Sequence, residues 1–249
     1  MRALRTLLIL VVIFGGLFVA ADRAAVYFAE GQVAQKIRSS QGLATDPEVS
    51  IKGFPFLTQV LDSNLTEVQV GLGGVNATVD GQTVEVTEVN AILKRVKIDS
   101  SFTSATAGEA DGSAQMSYAA LQKSAPKGVT IGYAGAERAA KGQVKLSGSL
   151  ADVAEGAGFP LPAALKPLVN GEKLTVYSTV ELVNGDTVRW KAENLPTLPI
   201  PGLEAQMRDV LDRDMKIDGM PSTVKLDKVS AAEDGLRFTG TGTDVSLTS

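Results

Sequence analysis

Ser, Thr, Tyr, Lys and the carboxylates are the only side chains available for acid–base or nucleophilic chemistry in this 249-residue chain, which has no histidine and no cysteine. The commonest general base, the thiolate nucleophile and the commonest transition-metal ligands are therefore missing. The remaining candidates do not assemble. Asp209, Asp212 and Asp214 crowd together in DVLDRD, but on a helix they point in different directions and lack the glycine turn of a calcium loop, so they read as solvated carboxylates. Ser117 and Lys123 form a Ser–Lys pair by residue type only, because six positions along a helix puts them on opposite sides. Gly71, Gly73 and Gly74 are followed by no Lys-Ser/Thr and read as relief of crowding in a strand, not as a phosphate cradle. No catalytic residue, metal site or cofactor is expected.

What the chain offers instead is apolar surface, concentrated at residues 47–61, PEVSIKGFPFLTQVL. Val49 and Ile51 alternate with Ser50 and Lys52 as in a half-buried strand. Gly53 and Pro55 then bend the chain, and Leu57, Val60 and Leu61 follow at helical spacing behind Phe54 and Phe56. Two readings stand: a corner of the core, or an apolar flap at the mouth of a cavity.

Two amphipathic helices frame the rest. Over residues 22–38, Val26, Ala29, Val33 and Ile37 share a face opposite Glu30, Gln32, Gln35, Lys36 and Arg38. Leu203, Met207, Val210, Leu211 and Met215 give the second. Between them strand-like runs cover residues 65–73, 75–79 and 83–98, the last changing phase near Asn90 as a β-bulge or a brief helical turn would. Residues 100–114 read as a turn-prone region of small side chains, 117–123 as a short helix, and 156–167, rich in Pro and Gly, as the best break between halves. The clearest hairpin is 174–192, joined across Asn184-Gly185-Asp186, with Trp190 on the parity of Val188. Asp234-Gly235 makes another turn between the last two strands.

Residues 1–21 begin with Arg2 and Arg5 and continue as fifteen uncharged, mostly apolar residues. As a helix that run is about 22 Å long, shorter than a hydrocarbon core of roughly 30 Å, which fits an export signal, with an uncleaved anchor as the alternative. Either way residues 22–249 form one extracytoplasmic domain, secreted or anchored. Its pI of about 5.0 argues against nucleic acid.

In order and motif the chain resembles the LmeA-type phospholipid-binding family of actinobacterial cell-envelope proteins. The carriers are ADRAAVYFAEGQVAQKI after the export segment, VSIKGFPFLTQVL, GSAQMSYAAL, and IDGMPSTVKLDKVSAAEDGLRFTGTGTDVSL. The resemblance implies phospholipid binding linked to envelope glycolipid (mannan-type) assembly, at the outer face of the cytoplasmic membrane, on a scaffold similar to tubular lipid-binding (TULIP) domains. The expected fold is accordingly α+β, a strongly curved antiparallel sheet wrapped around one or both amphipathic helices. The expected lipid-contacting residues are Phe54, Phe56, Leu57, Val60 and Leu61, with Val26, Val33 and Ile37 from the first helix. Protein partners are not legible. Two other readings separate cleanly: an adhesive or structural β protein would have a solidly filled core, and an envelope enzyme would bring a carboxylate pair or Ser–Lys dyad together in a cleft.

Overall fold

The computed structural model describes residues 2–99, 104–156, 173–193, 195 and 202–248. It is an α+β molecule with a long apolar N-terminal helix and two antiparallel sheets. The six-stranded sheet runs β1 (Glu48–Lys52), β2 (Asn64–Val79), β3 (Gln82–Ile98), β4 (Ser104–Ser117), β11 (Gly235–Thr248), β10 (Val224–Ala231), and the five-stranded sheet β5 (Thr130–Tyr133), β6 (Gln143–Ser149), β7 (Lys173–Val183), β8 (Thr187–Glu193), β9 (Arg213–Lys216). By its internal contacts the chain divides into two compact units: Met1–Gly73, Asn90–Gly112 and Gly242–Ser249 make the first, Gly74–Val89 and Ser113–Thr241 the second.

In the first unit, α1 (Arg2–Gln41) is one unbroken helix of 40 residues, about 60 Å long at 1.5 Å per residue. Its N-terminal part carries a window long and apolar enough to cross a membrane, none of it buried. Below that run the helix turns a different face inward: Asp22, Val26 and Ala34 are buried, an i, i+4 line continued by half-buried Glu30. The expected stripe is thus rotated, and Val33 is exposed while Ile37 is half-buried. Two carboxylates set the roll. Asp22 Oδ1 accepts from Leu57 N at 2.9 Å, and Glu30 Oε1 accepts from Ile51 N at 2.7 Å. They tie α1 to α2 (Phe56–Leu61) and to β1 (Glu48–Lys52), which pairs antiparallel with β2 with Ile51 opposite Val68.

β2 (Asn64–Val79) is a single strand where the sequence suggests two runs, and Asp80 and Gly81, both at positive φ, turn it into β3 (Gln82–Ile98). The phase change in β3 is real: Val84 and Val86 are buried on one parity, Leu93 on the other, and Val96 returns to the first after Arg95 adopts φ 51°. One expectation is corrected. The small-residue stretch is a strand, β4 (Ser104–Ser117), its first residues 100–103 lying outside the described part. β4 stands between β3 and β11, where ladder bonds on both sides override weak intrinsic strand preference.

In the second unit, α3 (Tyr118–Lys123) starts at Ser117, whose Oγ caps Ala120 N. β5 (Thr130–Tyr133), α4 (Ala136–Ala139), β6 (Gln143–Ser149) and α5 (Leu150–Gly156) follow. β7 (Lys173–Val183) and β8 (Thr187–Glu193) form the expected hairpin, with Asn184 and Gly185 both at positive φ. α6 (Leu203–Leu211) is shorter than its spacing suggests: Met215 belongs to β9 (Arg213–Lys216), not to the helix. β10 (Val224–Ala231) and β11 (Gly235–Thr248) close the chain. Most of the Pro-rich stretches 156–167 and 195–202 lies outside the described residues.

Candidate functional site

The inward face of the five-stranded sheet is written by strand parity. On β7, Leu174, Val176, Ser178 and Val180 are buried, and on β8 Val188, Trp190 and Ala192. Register sets their neighbours: Val180 stands opposite Trp190, and across the next ladder Trp190 faces Arg213 and Val188 faces Met215. α6 packs on β8, placing Met207 at 0% exposure and Leu211 at 5%. The helices and the strands that enter this unit do not fill the space. A cavity of about 70 Å³ remains, several times the roughly 10–15 Å³ that admits one water.

Its walls are almost wholly apolar. Val188, Trp190 and Leu146 come from the five-stranded sheet, Leu121 from α3, Leu211 from α6, and Val79, Val84, Met116, Leu236 and Phe238 from β2, β3, β4 and β11. A smaller void of about 10 Å³ shares Val129, Leu146 and Leu211 with it. Three residues of the lining are polar in character and were not nominated from sequence: half-buried Ser124 just after α3, exposed Arg213, and Trp190, whose buried Nε1 has no hydrogen-bond partner among the described residues. The signal for Trp190 was present, since the only tryptophan shares parity with Val188 in the clearest hairpin. Nothing in the sequence marks Arg213, because the helical spacing of Met207, Val210 and Leu211 runs on to Met215 and hides the start of β9.

The aspartates read from sequence as solvated carboxylates on a helix are only partly so. α6 ends at Leu211, so Asp212 and Asp214 are not helical: Asp212 Oδ1 accepts from Ala192 N at 2.6 Å, and Asp214 takes a two-point bond from Arg189, both contacts 2.7 Å. The hydrogen bond to Arg189 holds the Asp214 carboxyl below its ordinary range, and the same bond raises Arg189. Asp209 is exposed, as expected. Among the described residues no His, Cys, Asp and Glu group could hold a metal.

The residues nominated from sequence sit in the first unit, and none of the eight lines the cavity. They separate into two kinds. Phe56 and Val26 are buried at 6% and 7% exposure, and Leu57, Val60 and Ile37 are half-buried. Phe54, Leu61 and Val33 face outward, at 58%, 83% and 39%. Phe54 lies edge-on to Phe18 of the apolar run, ring centres 6.4 Å apart, with the Arg23 guanidinium 5.4 Å from its own. Sequence reasoning missed the group that holds this corner, Asp22, which at 0% exposure receives Arg23 as well as Leu57 N, while Gly53, expected at the bend, sits at φ 98° with the Gln59 side chain close by. An acid directly after an apolar run, with a second acid two turns on, was the available signal.

The family model for LmeA-like phospholipid-binding proteins matches residues 20–241. No curated protein and no solved structure matches the chain.

Proposed function

The chain belongs to the LmeA-like phospholipid-binding family, and on that premise we propose that it is an exported envelope protein that holds phospholipid by its acyl chains in the apolar cavity of the second unit, without catalysing a reaction. The observation that carries this reading is the cavity itself, walled by Val, Leu, Met, Phe and Trp from both sheets. Ligand sites of this kind are concave and mainly apolar, with few polar groups to fix orientation. An adhesive protein would have no use for the space, and an enzyme would need reactive groups in it.

Energetics favour a carrier over a sink. Moving an acyl chain out of water is worth about 0.8 kcal/mol per CH₂, but the same chain in a bilayer is already out of water. The gain against a membrane nearly cancels, so lipid can be taken up and given back. The apolar run of α1 serves as signal or anchor and delivers the body to the outer face of the cytoplasmic membrane. A role in mannan-type glycolipid assembly follows the family resemblance.

The test is native mass spectrometry of the full chain released from mild detergent, with organic extraction of the same sample. Glycerophospholipid adducts are expected, and Val188→Phe, which adds volume to the cavity wall, lowers their occupancy while thermal melting shows a folded protein. Absence of any lipid adduct from the wild-type chain overturns the reading.

A further inference from the structure

Among the described residues Trp190 Nε1 is a buried donor with no acceptor: the residue is 7% exposed, lines the apolar cavity, and finds no partner there for its indole N–H. A buried polar group of this kind forfeits the bond it made with water, which is why such groups are rare in native proteins and call for a reason. Ser178 Oγ is the other unpaired buried side-chain atom among the described residues. It stands diagonally from Trp190 on the same sheet face, opposite Ala192, but does not line the cavity. Trp190 is therefore the unpaired donor that a molecule in the cavity can reach.

The surroundings select the acceptor. With nearly every other lining side chain apolar and the one cation facing solvent, a charged oxygen drawn in beside the indole would lose its hydration for little compensation, whereas a neutral carbonyl loses far less. The single cation of the lining is Arg213, one strand over from Trp190 in direct register and exposed. Among the described residues it makes no ion pair. Across the one strand spacing from Arg213 to Trp190, about 4.8 Å, the wall thus passes from an exposed positive charge to a buried neutral donor, and beyond it the lining is apolar, with Val188 and Leu146. A diacyl glycerophospholipid presents the same order of groups: phosphate, ester carbonyl, hydrocarbon.

We propose, resting on the lipid-binding reading above, that Trp190 Nε1–H donates a hydrogen bond to an acyl-ester carbonyl of the bound phospholipid and so makes the site selective for ester-linked over ether-linked lipid. Trp190 is then a specificity residue as well as a wall of the cavity.

The full chain in detergent is given an equimolar mixture of diacyl and dialkyl phosphatidylglycerol of equal chain length, and the adducts are counted by native mass spectrometry. The wild type is expected to favour the ester form by about two- to tenfold, the worth of one neutral hydrogen bond. Trp190→Phe keeps the ring and removes the donor, so its ratio should fall to near one with total occupancy retained. A wild-type ratio of one, or a Trp190→Phe chain that keeps the ester preference, overturns the assignment while leaving lipid binding intact. No adduct of either lipid overturns both. Should Trp190→Phe fail to fold, the emission of the only tryptophan decides: a hydrogen-bonded indole emits further to the red with the ester lipid than with the ether lipid, and identical spectra overturn the proposal.

Discussion

Phe54 and Phe56 are two positions apart and have opposite fates, 58% against 6% exposed. Hydropathy and spacing do not distinguish them, because what decides is Asp22, more than thirty residues earlier, which draws the N-terminal turn of α2 onto α1 through Leu57 N. Phe56→Asp should unfold the first unit, since an unpaired buried carboxylate costs several kcal/mol out of a typical total of roughly 5–15. Phe54→Asp should leave the melting temperature nearly unchanged. Paired thermal melts by circular dichroism check this, and equal losses would show that Phe54 carries packing its exposure hides. Tyr118 gives a second test at this scale. Burial, helped by Tyr133 and Asp234, raises its hydroxyl from 10.0 to about 12, and that hydroxyl donates to the Ala232 carbonyl at 2.8 Å. A pKa raised on folding gives stability that is complete below the unfolded value and lost as pH climbs through the folded one. The urea midpoint should therefore fall between about pH 10 and 12, and Tyr118→Phe should remove that part of the fall, with other alkaline titrations unchanged.

At the scale of elements, periodicity was legible where one partner face decided it. The β7–β8 hairpin, α3 and the phase shift in β3 follow from local residues: Asn184-Gly185, the helix-favouring run 117–123, and the parity change from Val86 to Leu93. β4 and β9 were not legible. The small side chains of β4 have weak strand preference and are made a strand by neighbours distant in sequence, while Met215 continues the helical spacing of α6 yet pairs with Val188. The cavity could not be placed for the same reason, since its walls come from ten separate elements or their flanks, brought together by sheet registry and by two helices packed on it. Close backbone approach is likewise invisible in sequence. A Cβ on Gly148 would stand 2.1 Å from the Gly128 carbonyl oxygen, whereas one on Gly132 would meet nothing within 4 Å. Gly148→Ala should cost about 1–3 kcal/mol or more, and Gly132→Ala, on the neighbouring strand β5, very little. Chemical denaturation of the two variants makes the comparison, and equal stabilities would mean that β6 yields without penalty.

For the whole molecule the governing asymmetry is that of α1. Arg2 and Arg5 precede the apolar run, and an acidic body follows it, the full chain carrying a net charge of −4. Basic residues are retained on the cytoplasmic side during insertion, which sends the other end of the segment outward. The run itself is unburied, so its attraction to a membrane is hydrophobic, and the acidic body gains nothing from anionic headgroups. Alkaline phosphatase, which is active only outside the cytoplasm, should therefore be active when fused after Ser249, and replacing Arg2 and Arg5 with Glu should lower that activity several-fold. Membrane association of the full chain should resist high salt, since screening removes electrostatic attachment and leaves apolar attachment in place. Release by salt would assign the attachment to charge, and an inactive fusion with normal protein levels would place the body on the cytoplasmic side, where an envelope carrier has no access to outer-face lipid.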